Sequence, residues 1–127
     1  MPASAKLFLV SGCIAALLAV ALGAFGAHGL KTRIAPDLMT AYQTGIEYHF
    51  YHALGMILVG LAALHLPESA LLKGAGWAML AGIILFCGSL YLLSLTGMRW
   101  LGAITPLGGV SFLAGWGLFA AAVIKAA

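Results

Sequence analysis

Long uncharged apolar stretches alternate along this chain with short polar breaks. Leu7 to Leu30, Tyr48 to Pro67, Gly74 to Met98 and Trp100 to Ile124 contain no Asp, Glu, Lys or Arg. Each is near or above the roughly 20 residues a helix needs to cross a bilayer. The pattern predicts an all-α bundle of four transmembrane helices, over about 7–28, 47–66, 74–96 and 100–124, in one domain covering 1–127. Pro36-Asp37 followed by Leu38, Ala41, Tyr42 and Gly45 predicts a short amphipathic helix on the membrane surface between the first two spans. Thr96-Gly97-Met98-Arg99 leaves so little chain between the last two spans that they form an antiparallel hairpin.

Composition strengthens this reading. The chain is 64% hydrophobic and 7% charged, against about 45–50% and 25% in ordinary globular domains. Its mean hydropathy is +1.12. A membrane protein of 127 residues has no room for a separate soluble catalytic module. The first span, preceded by Lys6, resembles a secretory signal, but its uncharged stretch exceeds the ~7–15 apolar residues of such signals, so a retained helix is expected. Val10-Ser11-Gly12-Cys13 looks like a lipoprotein cleavage box, yet only Leu7 to Leu9 separate it from Lys6. Cys13 and Cys87 lie in apolar runs and indicate no disulfide framework.

The six Lys and Arg are scattered singly, which excludes a nucleic-acid arm. With four spans, Lys6, Lys73 and Lys125 fall on one side and Lys31, Arg33 and Arg99 on the other. That balance specifies orientation weakly and also fits dual topology. Cytoplasmic termini in a bacterial cytoplasmic (inner) membrane are expected.

The chemistry gathers in residues 45 to 55, GIEYHFYHALG. Ionisable groups inside a membrane are site candidates because charge is costly there. On a helix His49 and His52 lie about 60° apart, while Glu47 lies about 160° from His49 and about 140° from His52. One helix therefore does not make a Glu-His-His metal site. His28 falls on the same side of the membrane, and His65 at the opposite end of the second span. The candidate ligand-binding set is His28, Glu47, His49, His52, Arg99 and Thr105, with Arg99 the expected partner of Glu47. Three readings stand open. The histidines and Tyr42, Tyr48 and Tyr51 form an interfacial belt, or Glu47 and the histidines hold a polar head group or relay a proton, or they bind metal or haem. Too few further ligands converge for the last, so no metal or other cofactor is expected.

In the fourth span, Pro106, Gly108 and Gly109 predict a kink or brief unwinding. Transporters use such interruptions. A small transporter or channel would thus have a cleft from Glu47 and His52 toward Pro106 and Gly109. No nucleophile triad, paired carboxylates, phosphate loop or zinc spacing is present, so an enzyme is not expected. The reading is a protein that binds membrane lipid or a small amphiphile, or supports a homo-oligomer or larger membrane complex.

Gly23-Ala24-Phe25-Gly26-Ala27-His28-Gly29-Leu30, Tyr51-His52-Ala53-Leu54, Phe86-Cys87-Gly88-Ser89-Leu90-Tyr91 and Gly102-Ala103-Ile104-Thr105-Pro106-Leu107-Gly108-Gly109 with Gly115-Trp116 carry a resemblance over essentially the whole chain. The chain resembles the family catalogued as domain of unknown function 423, that of the YwdK-like and transmembrane protein 256 proteins. The resemblance implies a small integral membrane protein of about four spans with no established activity. Gly29, where relatives often have alanine, and Cys87, where they often have serine, depart from the pattern without removing a candidate ligand.

Overall fold

A computed structural model describes residues 1–126, and they form an all-helical structure. Helix α1 (Ala3–Phe25) continues through a π-helical turn, Gly26–Leu30. Helix α2 spans Pro36–Ala63. Helix α3 (Ala70–Gly82) passes through a second π-helical turn, Ile83–Cys87, into α4 (Gly88–Thr96). A 3-10 turn, Arg99–Ala103, leads into α5 (Thr105–Lys125). The result is four helical rods. Three of them, Ala3–Leu30, Ala70–Thr96 and Arg99–Lys125, are long and apolar enough to cross a membrane. The α2 rod carries Glu47, His49, His52 and three tyrosines, which lower its hydropathy.

The separate surface helix expected from Asp37 is not there. Those residues are the first turns of α2, which runs unbroken from Pro36 to Ala63. Ala35 is extended, Pro36 takes the first helical turn, and Asp37 places its charge where the helix dipole favours it. The helix runs through Gly45, whose missing Cβ admits the Tyr91 ring. Pro106 likewise does not kink a continuous fourth span. It sits in the first turn of α5, where its absent N–H costs nothing, and the break lies before it at Ile104. Gly108 and Gly109 are in regular helix.

Helix α1 packs along α2, α5 packs along α3, and α2 also meets the α3–α4 rod. Phe8, Met56, Val59, Leu72 and Met79 are the large apolar side chains buried between them. Lipid tails are as apolar as these residues, so close packing rather than water exclusion must hold such rods together. A Cβ at Gly60 would stand 2.8 Å from the Leu9 backbone nitrogen, and one at Gly108 would meet the backbone of Phe86. Hydrogen bonds add to this. Ser111 donates to the Ala78 carbonyl at 2.6 Å, and the Ser89 and Thr105 hydroxyls pair at 2.7 Å. Among the described residues every buried side-chain nitrogen and oxygen has a partner.

Candidate functional site

The two α2 histidines point to different neighbours, as their angular separation requires. His49 Nδ1 lies 2.8 Å from the Tyr91 hydroxyl on α4. His52 Nδ1 lies 2.7 Å from the Tyr48 carbonyl. The indole N–H of Trp116 on α5 donates to His52 Nε2 at 3.0 Å. A carbonyl only accepts and an indole N–H only donates, so Nδ1 of His52 carries the hydrogen and Nε2 is bare. The ring is the neutral Nδ1–H tautomer. It also stacks on Phe112, with centroids 3.5 Å apart and planes 10° from parallel.

Both histidines are buried, and Phe112 and Trp116 belong to the middle third of α5. His52 is therefore a cross-brace deep in the bundle, not a residue at its rim. Neither of its ring nitrogens is free for a metal or a ligand in this arrangement. Among the described residues, no three His, Cys, Asp or Glu side chains are placed to hold a metal ion.

The other candidates are dispersed. His28 is exposed on the π-helical turn after α1. Thr105 is tied to Ser89 and docks the start of α5 on the α3–α4 rod. Arg99 does not pair with Glu47. Its guanidinium donates to Asp37 at 2.9 Å, joining the turn before α5 to the start of α2. The reason is reach: Asp37 and Arg99 both sit at helix ends, whereas Glu47 lies about 15 Å further along α2 at 1.5 Å per residue. Both partners are largely exposed, with side chains 72% and 58% accessible, so the pair is a surface clasp worth little to stability. Arg99 holds the Asp37 carboxyl below the usual aspartate range.

Glu47 itself is exposed on the outer side of α2 and makes no ion pair among the described residues. It opens onto a groove between α1 and α2 with a cavity volume of about 330 Å³. Lys31 and Gln43 line the same groove, and Gly23 and Ala27 keep its α1 wall low. Tyr42 forms part of the lining, its hydroxyl committed to the Leu22 carbonyl at 2.5 Å. Lys31 and Glu47 share the groove but lie more than 4.0 Å apart, so opposite charges face one space without neutralising each other. Neither His52 nor Pro106 lines it, so it is not the cleft toward Pro106 and Gly109 that a transporter reading expects.

Sequence reasoning missed Lys31, Gln43, Tyr91 and Trp116. The signal for Trp116 was available, because a buried indole N–H needs an acceptor and His52 is among the few that apolar spans offer. Lys31 gave none, since its place follows from the π-helical turn before it.

Comparison with known proteins gives a consistent picture. No solved structure matches the chain. It is 51% identical over 120 residues to the UPF0382 membrane protein YwdK of Bacillus subtilis, covering 94% of this chain and 98% of that one. A UPF0382 membrane protein of Staphylococcus epidermidis is 43% identical over 120 residues, 94% and 97% of the two chains. A UPF0382 membrane protein of Staphylococcus haemolyticus is 42% identical over 111 residues, 87% and 89% of the two. The family model described as protein of unknown function (DUF423) matches residues 22–109. With that match and these relatives, the chain belongs to the DUF423 family of membrane proteins.

Proposed function

We propose that this protein is a non-catalytic bundle of four membrane crossings that holds a lipid-like or small amphiphilic molecule in the groove between α1 and α2. The observation that carries the reading is Glu47, a carboxylate without an ion-pair partner among the described residues, on the outer face of a helix packed among membrane-length rods. Bare charge at that surface is costly, so a partner from outside the chain is favoured.

Length supports the fourth crossing. The 28 residues of α2 extend about 42 Å at 1.5 Å per residue, more than the ~30 Å hydrocarbon layer. Counting ~20 residues back from Ala63 puts the opposite boundary near Thr44 and Glu47 about one turn inside it. An amphiphile with its polar end at Glu47 then has its apolar part beside the exposed Val20 of α1 and Leu54 of α2, which lie two turns deeper on the faces of Ala27 and Glu47. The commitments of His49 and His52 support structural rather than acid–base roles. The bacterial relatives support a cytoplasmic membrane location.

Native mass spectrometry of the protein gently extracted from its own membrane tests this. A stoichiometric small molecule that survives in His52→Gln and is lost in Glu47→Gln is expected. A ligand-free wild-type protein, or a co-purifying protein indifferent to Glu47→Gln, would replace the reading with that of a scaffold.

A further inference from the structure

The order of the two groove charges, from the membrane interior outward, specifies the occupant. Helices α1 and α2 run antiparallel: a Cβ at Gly60 would meet Leu9, one at Gly23 would stand 3.5 Å from the Ile46 side chain, and one at Gly26 would meet the Tyr42 ring. Glu47 is therefore level with Gly23. Lys31, eight residues further along the α1 rod, stands roughly 10–12 Å nearer the surface at up to about 1.5 Å per residue. Gln43 lies between them, one turn outward from Glu47 on the same face of α2. Side chains lean toward the start of their own helix. Because α2 starts at this end of the bundle and α1 at the other, Glu47 leans outward and Lys31 inward, and both line one cavity of about 330 Å³.

An amphiphile in this groove has its apolar chain deeper than Glu47, beside Val20 and Leu54. Passing outward from that chain, its head meets the carboxylate first and the lysine second. A cation carried next to the chain with an anion beyond it answers both charges in turn. The opposite order sets like charge against like at each level, and a cation alone leaves Lys31 facing its own sign. Resting on the amphiphile reading above, we propose that the site takes a zwitterionic amphiphile whose ammonium sits next to its apolar chain and whose anionic group lies outward of it. The ammonium faces Glu47, and the anion faces Lys31 and the Gln43 amide. Zwitterionic glycerophospholipids carry the reverse order, phosphate before amine, so the groove discriminates against them in favour of a different amphiphile.

The full-length protein in a nonionic maltoside detergent is offered two probes with the same dodecyl chain. In dodecyl sulfobetaine the ammonium is next to the chain and the sulfonate outward; in dodecylphosphocholine the phosphate is next to the chain and the ammonium outward. Native mass spectrometry counts the probe that stays bound. The sulfobetaine is retained about tenfold over the phosphocholine, or about 1.4 kcal/mol, less than one charge pair at 4 Å near a protein surface is worth. Glu47→Gln or Lys31→Met alone brings the ratio toward one. The double variant Lys31→Glu with Glu47→Lys reverses the preference, which separates charge order from any difference between sulfonate and phosphate. Both side chains line the surface groove rather than the core, so unchanged thermal unfolding without probe confirms that the single variants fold.

The chainless headgroup, trimethylammonio-propanesulfonate, leaves the sulfobetaine bound at the same concentration. Displacement by it would assign the site to a water-soluble zwitterion and overturn the amphiphile. Equal retention of the two probes, lost from both in Glu47→Gln, would overturn the charge order and keep an amphiphile site. A preference for the phosphocholine, or a wild-type preference that survives the double variant, would also overturn the charge order. Retention indifferent to Glu47→Gln and Lys31→Met, or no retention of either probe, would overturn the site itself.

Discussion

His52 and Glu47 sit five positions apart on one helix and have opposite roles because of what surrounds them. The His52 ring is sandwiched against Phe112 and capped by the Trp116 N–H, while Glu47 has open space and a cation across it. Trp116→Phe keeps the ring and deletes the donor. It should destabilise the bundle by about 0.6–1.7 kcal/mol, from the average to the largest value for interhelical hydrogen bonds in a membrane protein. His52→Ala should cost more, because the Phe112 stack goes too and the indole N–H is left unpaired. Unfolding in mixed micelles by a graded denaturing detergent reads both, and a Trp116→Phe variant as stable as wild type would refute the cross-brace.

A residue-scale prediction also follows at the surface. The folded protein binds the Asp37 proton more weakly than the unfolded chain does, because Arg99 favours the carboxylate. The contribution of this clasp is therefore present above the ordinary aspartate value of 3.8 and lost as pH falls through the lower folded value. Carbon-detected NMR of Asp37 should give a midpoint below 3.8, returning toward 3.8 in Arg99→Ala. High salt should move it the same way, since the pair is exposed. A midpoint indifferent to Arg99→Ala would dissolve the clasp.

Elements carry the second scale, where glycine decides which rods touch. Helix α5 lies on the π-helical turn closely enough that Gly108 has no room for a Cβ beside the Phe86 backbone. Gly117, further along the same helix, has nothing within 4 Å. Gly108→Ala should cost about 1–3 kcal/mol, as overpacking does when backbone rather than a flexible side chain must yield. Gly117→Ala should be neutral or slightly stabilising. Comparing the two by the same unfolding assay isolates packing from helix propensity, and equal effects would contradict the approach of α5 to that turn.

The apolar runs make most elements legible in the sequence, including the hairpin of the last two rods. Two features are not. The polar stretch after Pro36 reads as a surface helix when taken alone, and only continuous packing against α1 shows it to be the first third of α2. The π-helical turns leave no compositional mark, yet one of them sets the position of Lys31. Glu47 was legible as a candidate because a carboxylate beside an apolar run is conspicuous. Its separation from His52 was foreshadowed by helical geometry, whereas the ring partners of His52 depend on tertiary contacts between α2 and α5.

At the scale of the whole molecule, charged residues collect at the two ends of the bundle. Lys31, Arg33, Asp37 and Arg99 stand at one end, and Lys6, Glu68, Lys73 and Lys125 at the other. Ser4 donates to the Pro67 carbonyl at 3.4 Å, tying the chain start to the turn after α2. The functional reading depends on α2 crossing between those ends, because only then does Glu47 face lipid from within the boundary.

The most direct test is cysteine accessibility across the membrane. In a chain with Cys13→Ser and Cys87→Ala, Thr40→Cys and Glu68→Cys mark exposed positions at the two ends of α2. A membrane-impermeant thiol reagent applied to sealed vesicles of one orientation should label one variant and spare the other until the vesicles are opened. Labelling of both from the same side would show that α2 does not cross, and the groove at Glu47 would lose its place at the lipid boundary.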